Sequence, residues 1–349
     1  MTHLYNLRGL KDIMASHNEI IPNDDVLKFY FYFMQERMNM FWNRCEGKWP
    51  LTHDSILSKY KFTNVYRACD RVSQYLIGNV IYKDIGHHAP KDILLRILVF
   101  KIFNKPETWE YLIWEYGDIK ENNFDVKKMS ELLTKRQKTT PIFNNAYMMT
   151  GSHSRYNHIK TKHEKWLTMV QEEIINGHVL DDILVAKSLE GVYSKLRKCS
   201  FLGDFLAYQY SIDLNYSPYI NFSENSFVRA GIGAIRGIKK CFSSYGKCYE
   251  DAIIYVKEHI GELQAKYGYD QFKSLPGHEP TLLDLQNCFC ETDKYLRERM
   301  PQLQVDNVRI KQKYKESDKP LSFVFPDKWN VKINQKLCIQ RNTKELTLF

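Results

Sequence analysis

"DDVLKFYFYFMQERMNMFWNRCEG", residues 24–47, is the stretch whose reading decides the fold. After Asp24 and Asp25 its apolar residues recur at helical spacing, as on one buried helix face. Asp24 and Asp25 stand where a cap belongs and Gly47 where a helix stops. A long, aromatic-rich helix is predicted. The same period returns in "KDILLRILVFKIFNKPETWEYLIWEYG", residues 91–117, read as two helices broken between Asn104 and Pro106. It returns again in "HIKTKHEKWLTMVQEEIING" and in "EPTLLDLQNCFCETDKYLRERM", residues 279–300. Residues 121–150 read as a short helix followed by a loop, and residues 180–214 as helix, short hairpin and helix. The fold class is therefore all-α. Residues 1–300 form the helical unit, with room for two helical subdomains and a cleft between them, and residues 301–349 read as an irregular basic tail. No internal repeat or low-complexity tract interrupts it.

With 349 residues, 44% of them hydrophobic and 14% aromatic, the chain has material for a large core. Fifty Lys and Arg against 41 Asp and Glu leave +9, which suits a polyanionic partner without requiring one. The cysteines are Cys45, Cys69, Cys199, Cys241, Cys248, Cys288, Cys290 and Cys338, with no CxxC pair and no histidine at finger spacing. They read as reduced, mostly buried thiols of a cytoplasmic protein. No HExxH is present, and neither a metal nor a cofactor is expected. "MTHLYNLRGLKDIM" lacks the long apolar core of a signal peptide, and no run reaches membrane-spanning length. A soluble protein is expected.

Four stretches carry candidate chemistry. "KFTNVYRACDRVSQYL", residues 61–76, reads as one helical stretch holding Asn64, Arg67, Asp70 and Arg71. Arg67 and Arg71, four residues apart, would share a face. That face either receives a flipped base, with Asn64 reading polar edges and Asp70 orienting an arginine, or is a structural network of buried Arg and Asp. In "FLGDFLAYQYSID", residues 201–213, the Gly203 turn exposes backbone N–H groups at a helix start. They either grip a DNA phosphate or simply join two helices. Asp213 sits near the end of that helix, where the macrodipole disfavours a carboxylate. It faces water, or it lies in a basic DNA-facing cleft and stabilises a sugar cation or aims a water. Glu224 is the second candidate acid. "AGIGAIRGIKKCF", residues 230–242, fails both the dinucleotide fingerprint and the GK[ST] loop. It reads as a phosphate-facing turn at Gly231 and Gly233 charged by Arg236, Lys239 and Lys240, or as a solvated basic helix. In "CETDKYLRER", Glu291 and Lys294 form a surface ion pair, or Lys294 is a Schiff-base amine.

The ordered set "QERMNMFWNRCEGKWPLTHDSILSKYKFTNVYRACDRVS", "RILVFKIFNKPETWE", "TPIFNNAYMMTG", "FLGDFLAYQYSIDLNYSP", "FVRAGIGAIRGIKK" and "CETDKYLR" resembles the alpha-glutamyl/putrescinyl-thymine pyrophosphorylase family. That family is related to the helical domain of 5-hydroxymethyluracil DNA kinases. The resemblance implies a helix-hairpin-helix DNA glycosylase-like helical fold acting on modified pyrimidines in double-stranded DNA. Its pattern carries over to Asn64, Arg67, Asp70, Arg71, Asp213, Gly231, Gly233, Arg236, Gly237, Glu291, Asp293, Lys294 and Tyr295. Ile232 stands where proline is usual, and "FLGDF" departs from the glycosylase "PGVG" hairpin. The first expectation is a DNA glycosylase that excises a glycosylated hydroxymethyl-pyrimidine from phage DNA in anti-phage defence. Asp213 and Glu224 would be its catalytic carboxylates. Asn64, Arg67, Asp70, Arg71, Lys294 and Tyr295 would hold base and sugar, and Gly203, Gly231, Gly233, Arg236, Gly237 and Lys239 would hold phosphates. The alternative is a transferase replacing pyrophosphate on 5-hydroxymethyluracil with an amino acid or polyamine. A catalytically silent DNA-binding module is the third.

Overall fold

The computed structural model describes residues 19–145, 149–303, 310, 312–315 and 322–333. Residues 1–18 and Cys338 lie outside them. Helix α1 (Asp24–Cys45) buries the predicted face, with Leu27, Tyr30, Phe33 and Met34 fully enclosed. Each such side chain contributes about 1.5–3 kcal/mol. Its cap differs from the reading: Asn23 holds the cap position, while Asp24 bonds Lys266 and Tyr267 at 2.7 and 2.6 Å. The chain leaves through Gly47 at φ 68°, a conformation free of Cβ strain only in glycine. Strand β1 (Ile20–Pro22), just before α1, pairs antiparallel with β2 (Phe242–Tyr245).

Helix α2 (Ser55–Lys59) is capped by Asp54, which accepts from the N–H groups of Ile56 and Leu57. Residues 61–76 do not form one helix. A 3₁₀ turn at Arg67–Cys69 is followed by extended Asp70, which opens α3 (Arg71–Tyr75) and a π-helical turn at Leu76–Ile81. The cause is local. Asp70 Oδ1 accepts from the backbone N–H and the Nδ2 of Asn64 at 2.8 and 3.0 Å, closing a loop where the helix would have continued. Arg67 is buried and Arg71 exposed, so the two do not share a face.

Helix α4 (Pro90–Phe103) is apolar nearly all round and buried from Ile93 to Phe103, as suits the centre of a helical body. Pro90 starts it, left-handed Asn104 ends it, and Pro106 begins α5 (Pro106–Tyr116), as read. Helices α6 (Val126–Gln137), α7 (Lys162–Met169), α8 (Val179–Leu184) and α9 (Leu189–Leu196) follow. The turn through Gly203 leads into α10 (Asp204–Asn215), which packs on α9 and α4. The second half holds α11 (Ile232–Cys241), α12 (Tyr249–Glu258), α13 (Ile260–Tyr267) and α14 (Leu282–Arg299), with α14 packed against α1, α11 and α12.

The glycines of α11 explain its closeness to α14. A Cβ on Gly233 would lie 2.3 Å from Cys290 Sγ, and one on Gly237 would lie 2.1 Å from the Phe289 carbonyl oxygen. Both glycines serve the close contact between α11 and α14. The described part of the tail, residues 322–333, lies on the helical body with Phe323, Phe325 and Trp329 buried, so it belongs to the packed structure. Among the described residues no helix is long and apolar enough to cross a membrane. Five of the cysteines are buried, Cys290 is partly so, and Cys248 is exposed.

Candidate active site

The loop that interrupts residues 61–76 delivers Arg67 to the interior. Its Nη1 and Nη2 donate to the two oxygens of Asp213 at 2.7 and 3.1 Å, and Lys101 Nζ lies 3.1 Å from Asp213 Oδ2. Asp213 is fully enclosed and Lys101 nearly so. Burial opposes the Asp213 charge, but the two cations overcome it and hold the carboxyl below its ordinary range. Burial also pushes the Lys101 ammonium down to about 8, against the pull of Asp213. Lys101 Nζ further donates to Asn104 Oδ1, so α4 supplies the cation and the residue that caps it the second acceptor.

The network continues from the Arg67 backbone. Its N–H donates to Asp284 Oδ1 at 3.0 Å, and Asp284 Oδ2 accepts from the Thr281 N–H and Oγ1. Thr281 Oγ1 lies 3.4 Å from Glu224 Oε2, whose other oxygen accepts from the Trp329 indole N–H at 3.1 Å. Burial, then the neighbouring Asp284, raises Glu224 to about 7. Burial likewise raises Asp284 to about 6, although its hydrogen bonds from Thr281 and Arg67 oppose this. Burial also lowers the Lys328 ammonium, beside Glu224, to about 8. Enclosed acids and bases brought toward neutrality in one cluster are suited to proton exchange. Asp213, with both oxygens engaged, is suited to positioning Arg67.

Asp213, Glu224 and Arg67 thus fall in one connected network. Asn64 and Asp70 adjoin it as the clamp of the Arg67 loop, and burial lifts Asp70 to about 6 against the Asn64 hydrogen bond and Arg37. Glu291 accepts from the Thr63 N–H and pairs with Lys294 at 2.6 Å, so the expected ion pair forms, with Glu291 buried. Tyr295 is placed elsewhere. Its buried hydroxyl donates to Asp54, which lines an open cleft of about 780 Å³ together with Tyr32, Glu36, Trp42 and Lys273. Asp293 is taken up by Lys240 and Arg297. Lys239 is exposed with its ammonium over the Tyr249 ring, and Arg236 is half-buried. Gly203 is exposed with open space where a Cβ would stand, whereas a Cβ on Gly231 would meet the Phe205 ring at 2.7 Å. The starts of α10 and α11 therefore lie together, with Phe205 43% and Ile232 69% exposed beside them.

Lys101, Thr281, Asp284, Lys328 and Trp329 escaped the sequence reading. Lys101 had a signal, a lone cation inside the apolar run "ILVFKIF". Thr281 and Asp284 stand three apart as a capping box. Trp329 sat in a segment read as tail.

Fold and site define an all-helical protein organised around a buried acid–base network. The chain belongs to the family of the helical domain of 5-hmdU DNA kinases, whose model matches residues 24–305. The 5-hmdU DNA kinase of Bacillus phage SP10 is 26% identical over 283 residues, which cover 76% of this chain and 44% of that protein. The chain therefore spans less than half the length of this relative. No solved structure matches.

Proposed function

We propose that the protein acts on 5-hydroxymethyluracil in DNA as a base-modifying transferase. In this reading the nitrogen of an amino acid or polyamine attacks the exocyclic methylene carbon of a pyrophosphorylated base. The carbon–oxygen bond breaks, pyrophosphate leaves, and the amine proton passes to a carboxylate. The family match across residues 24–305 carries the reading, because that span holds Arg67, Lys101, Asp213, Glu224, Thr281 and Asp284. Glu224, near 7, takes the proton, while Arg67 and Lys101 offset phosphate charge. The engagement of both Asp213 oxygens by Arg67 and Lys101 favours substitution at the base over attack at the sugar. The adjoining starts of α10 and α11 offer backbone N–H groups to the duplex.

The test uses a duplex carrying pyrophosphorylated 5-hydroxymethyluracil, incubated with protein and either putrescine or glutamate and then digested to nucleosides for mass spectrometry. A nucleoside gaining the amine, with one pyrophosphate released per base, is the predicted result. No adduct, together with alkali-labile breaks in DNA bearing glucosylated hydroxymethylcytosine, would replace this reading with base excision.

A further inference from the structure

The segment 322–333 sets an aromatic ring into the network of the family-matched body. The Trp329 indole stacks on His278 with ring centroids 3.8 Å apart and planes 18° apart, and meets Tyr216 edge-on at 5.8 Å. Its N–H donates to Glu224 Oε1 at 3.1 Å. Two enclosed polar atoms, Nε2 of the stacked His278 and the Tyr208 hydroxyl, have no hydrogen-bond partner among the described residues. Tyr208 is fully buried, and Glu224, Asp284 and Arg67 are among the charges its phenol senses. Leaving such a group unpaired carries a desolvation cost. A ring with donors and acceptors around its edge would relieve that cost, as an indole with one N–H does not.

The segment is held by the buried rings of Phe323, which packs on Phe41, and Phe325, and by a set of polar bonds to the body. Gln74 bonds the backbone N–H and carbonyl of Val324 at 2.8 and 3.1 Å, Tyr82 accepts from the Asp327 N–H at 3.1 Å, and Lys328 reaches the carbonyls of Asn215 and Ile220. Val324 itself is 39% exposed. Residues 322–333 lie beyond the family-matched span, whereas His278, Tyr216, Tyr208 and Glu224 lie within it.

We infer that the slot between His278, Tyr216 and Glu224 is a binding site for a pyrimidine base, and that Trp329 occupies it as a displaceable plug. Building on the proposed function, this assigns the place where the extruded base of that reaction rests. The base stacks on His278, takes over the hydrogen bond to Glu224 and offers its edge to Tyr208, and the 322–333 strap lifts to admit it. Extruding a base is unfavourable, which is offset here by stacking and by pairing the Tyr208 hydroxyl.

A reversible lock tests this. A Cβ built on Gly78 stands 3.9 Å from the Val324 Cβ, within the disulfide range of about 3.5–4.5 Å. The full-length Gly78→Cys/Val324→Cys variant is therefore compared oxidised and reduced. Binding is measured to a duplex with one pyrophosphorylated 5-hydroxymethyluracil and to its thymine counterpart, alongside wild type and Trp329→Ala. Wild type should prefer the modified duplex, the oxidised lock should lose at least about tenfold of that preference, and reductant should restore it. Trp329→Ala should prefer the modified duplex at least as strongly as wild type. An oxidised lock that discriminates like wild type overturns the plug while leaving the proposed function standing. Failure of wild type and Trp329→Ala alike to discriminate overturns the substrate reading, and the base site with it.

Discussion

Alanine at Asp213 should cost stability before it says anything about chemistry. The substitution leaves Arg67 and Lys101, 9% and 3% exposed, without the carboxylate that each contacts. Removing one partner of a buried ion pair costs about 3–5 kcal/mol, against a typical total of about 5–15 kcal/mol. Lys101, already brought to about 8 beside Asp213, can shed its proton and place the loss toward the lower end. The Arg67 guanidinium cannot deprotonate. Urea unfolding at pH 7, followed by circular dichroism, measures the difference. The triple variant Arg67→Met/Lys101→Met/Asp213→Leu should recover most of the loss, because no charge is then stranded. A cost below about 1 kcal/mol for Asp213→Ala, the worth of an exposed ion pair, would refute the enclosed network. Loss of activity in Asp213→Ala is thus no evidence for a nucleophile unless the variant is shown to be folded.

Gly237→Ala should destabilise by about 1–3 kcal/mol, because its Cβ meets the Phe289 carbonyl oxygen of α14, whereas Gly203→Ala, with open space and φ −69°, should stay within about 0.5 kcal/mol; thermal unfolding of both compares them. Glu224 holds its proton to about 7 in the fold but to 4.5 when unfolded, so the native state binds more protons in that window and stability falls as pH rises through it. Glu224→Gln should flatten that fall in urea titrations at several pH values. Lys101 behaves oppositely: its folded value near 8 lies below 10.5, so stability rises with pH between them, and Lys101→Met should remove the rise. Asp70→Ala should cost about 1–3 kcal/mol by unclamping two Asn64 donors, and amide exchange in residues 62–70 should speed up.

The helical period was plain where one face is buried, in α1, and where Asn104 and Pro106 punctuate α4 and α5. It misled at residues 61–76, since Asp70 closing on Asn64 is a side-chain choice invisible to periodicity. Residues 230–242 were read as a phosphate-facing turn or a solvated basic helix, and the close contact of Gly233 and Gly237 with α14, built from residues some 50 further along, left no local trace. Asp213 and Arg67 were both singled out, but their pairing spans 146 residues and no local pattern records it. Trp329 was missed because its aromatic neighbours Phe323 and Phe325 sit in a basic stretch with no helical period.

The most direct measurement is hydrogen exchange by mass spectrometry on the full-length protein, alone and with duplexes differing only by 5-hydroxymethyluracil or thymine. Greater protection with the modified duplex at residues 61–72, 206–216, 222–228 and 278–286 is predicted, because these segments carry the network. Equal protection by both duplexes, or a difference confined to segments outside the network, would contradict the assignment of base modification to this site.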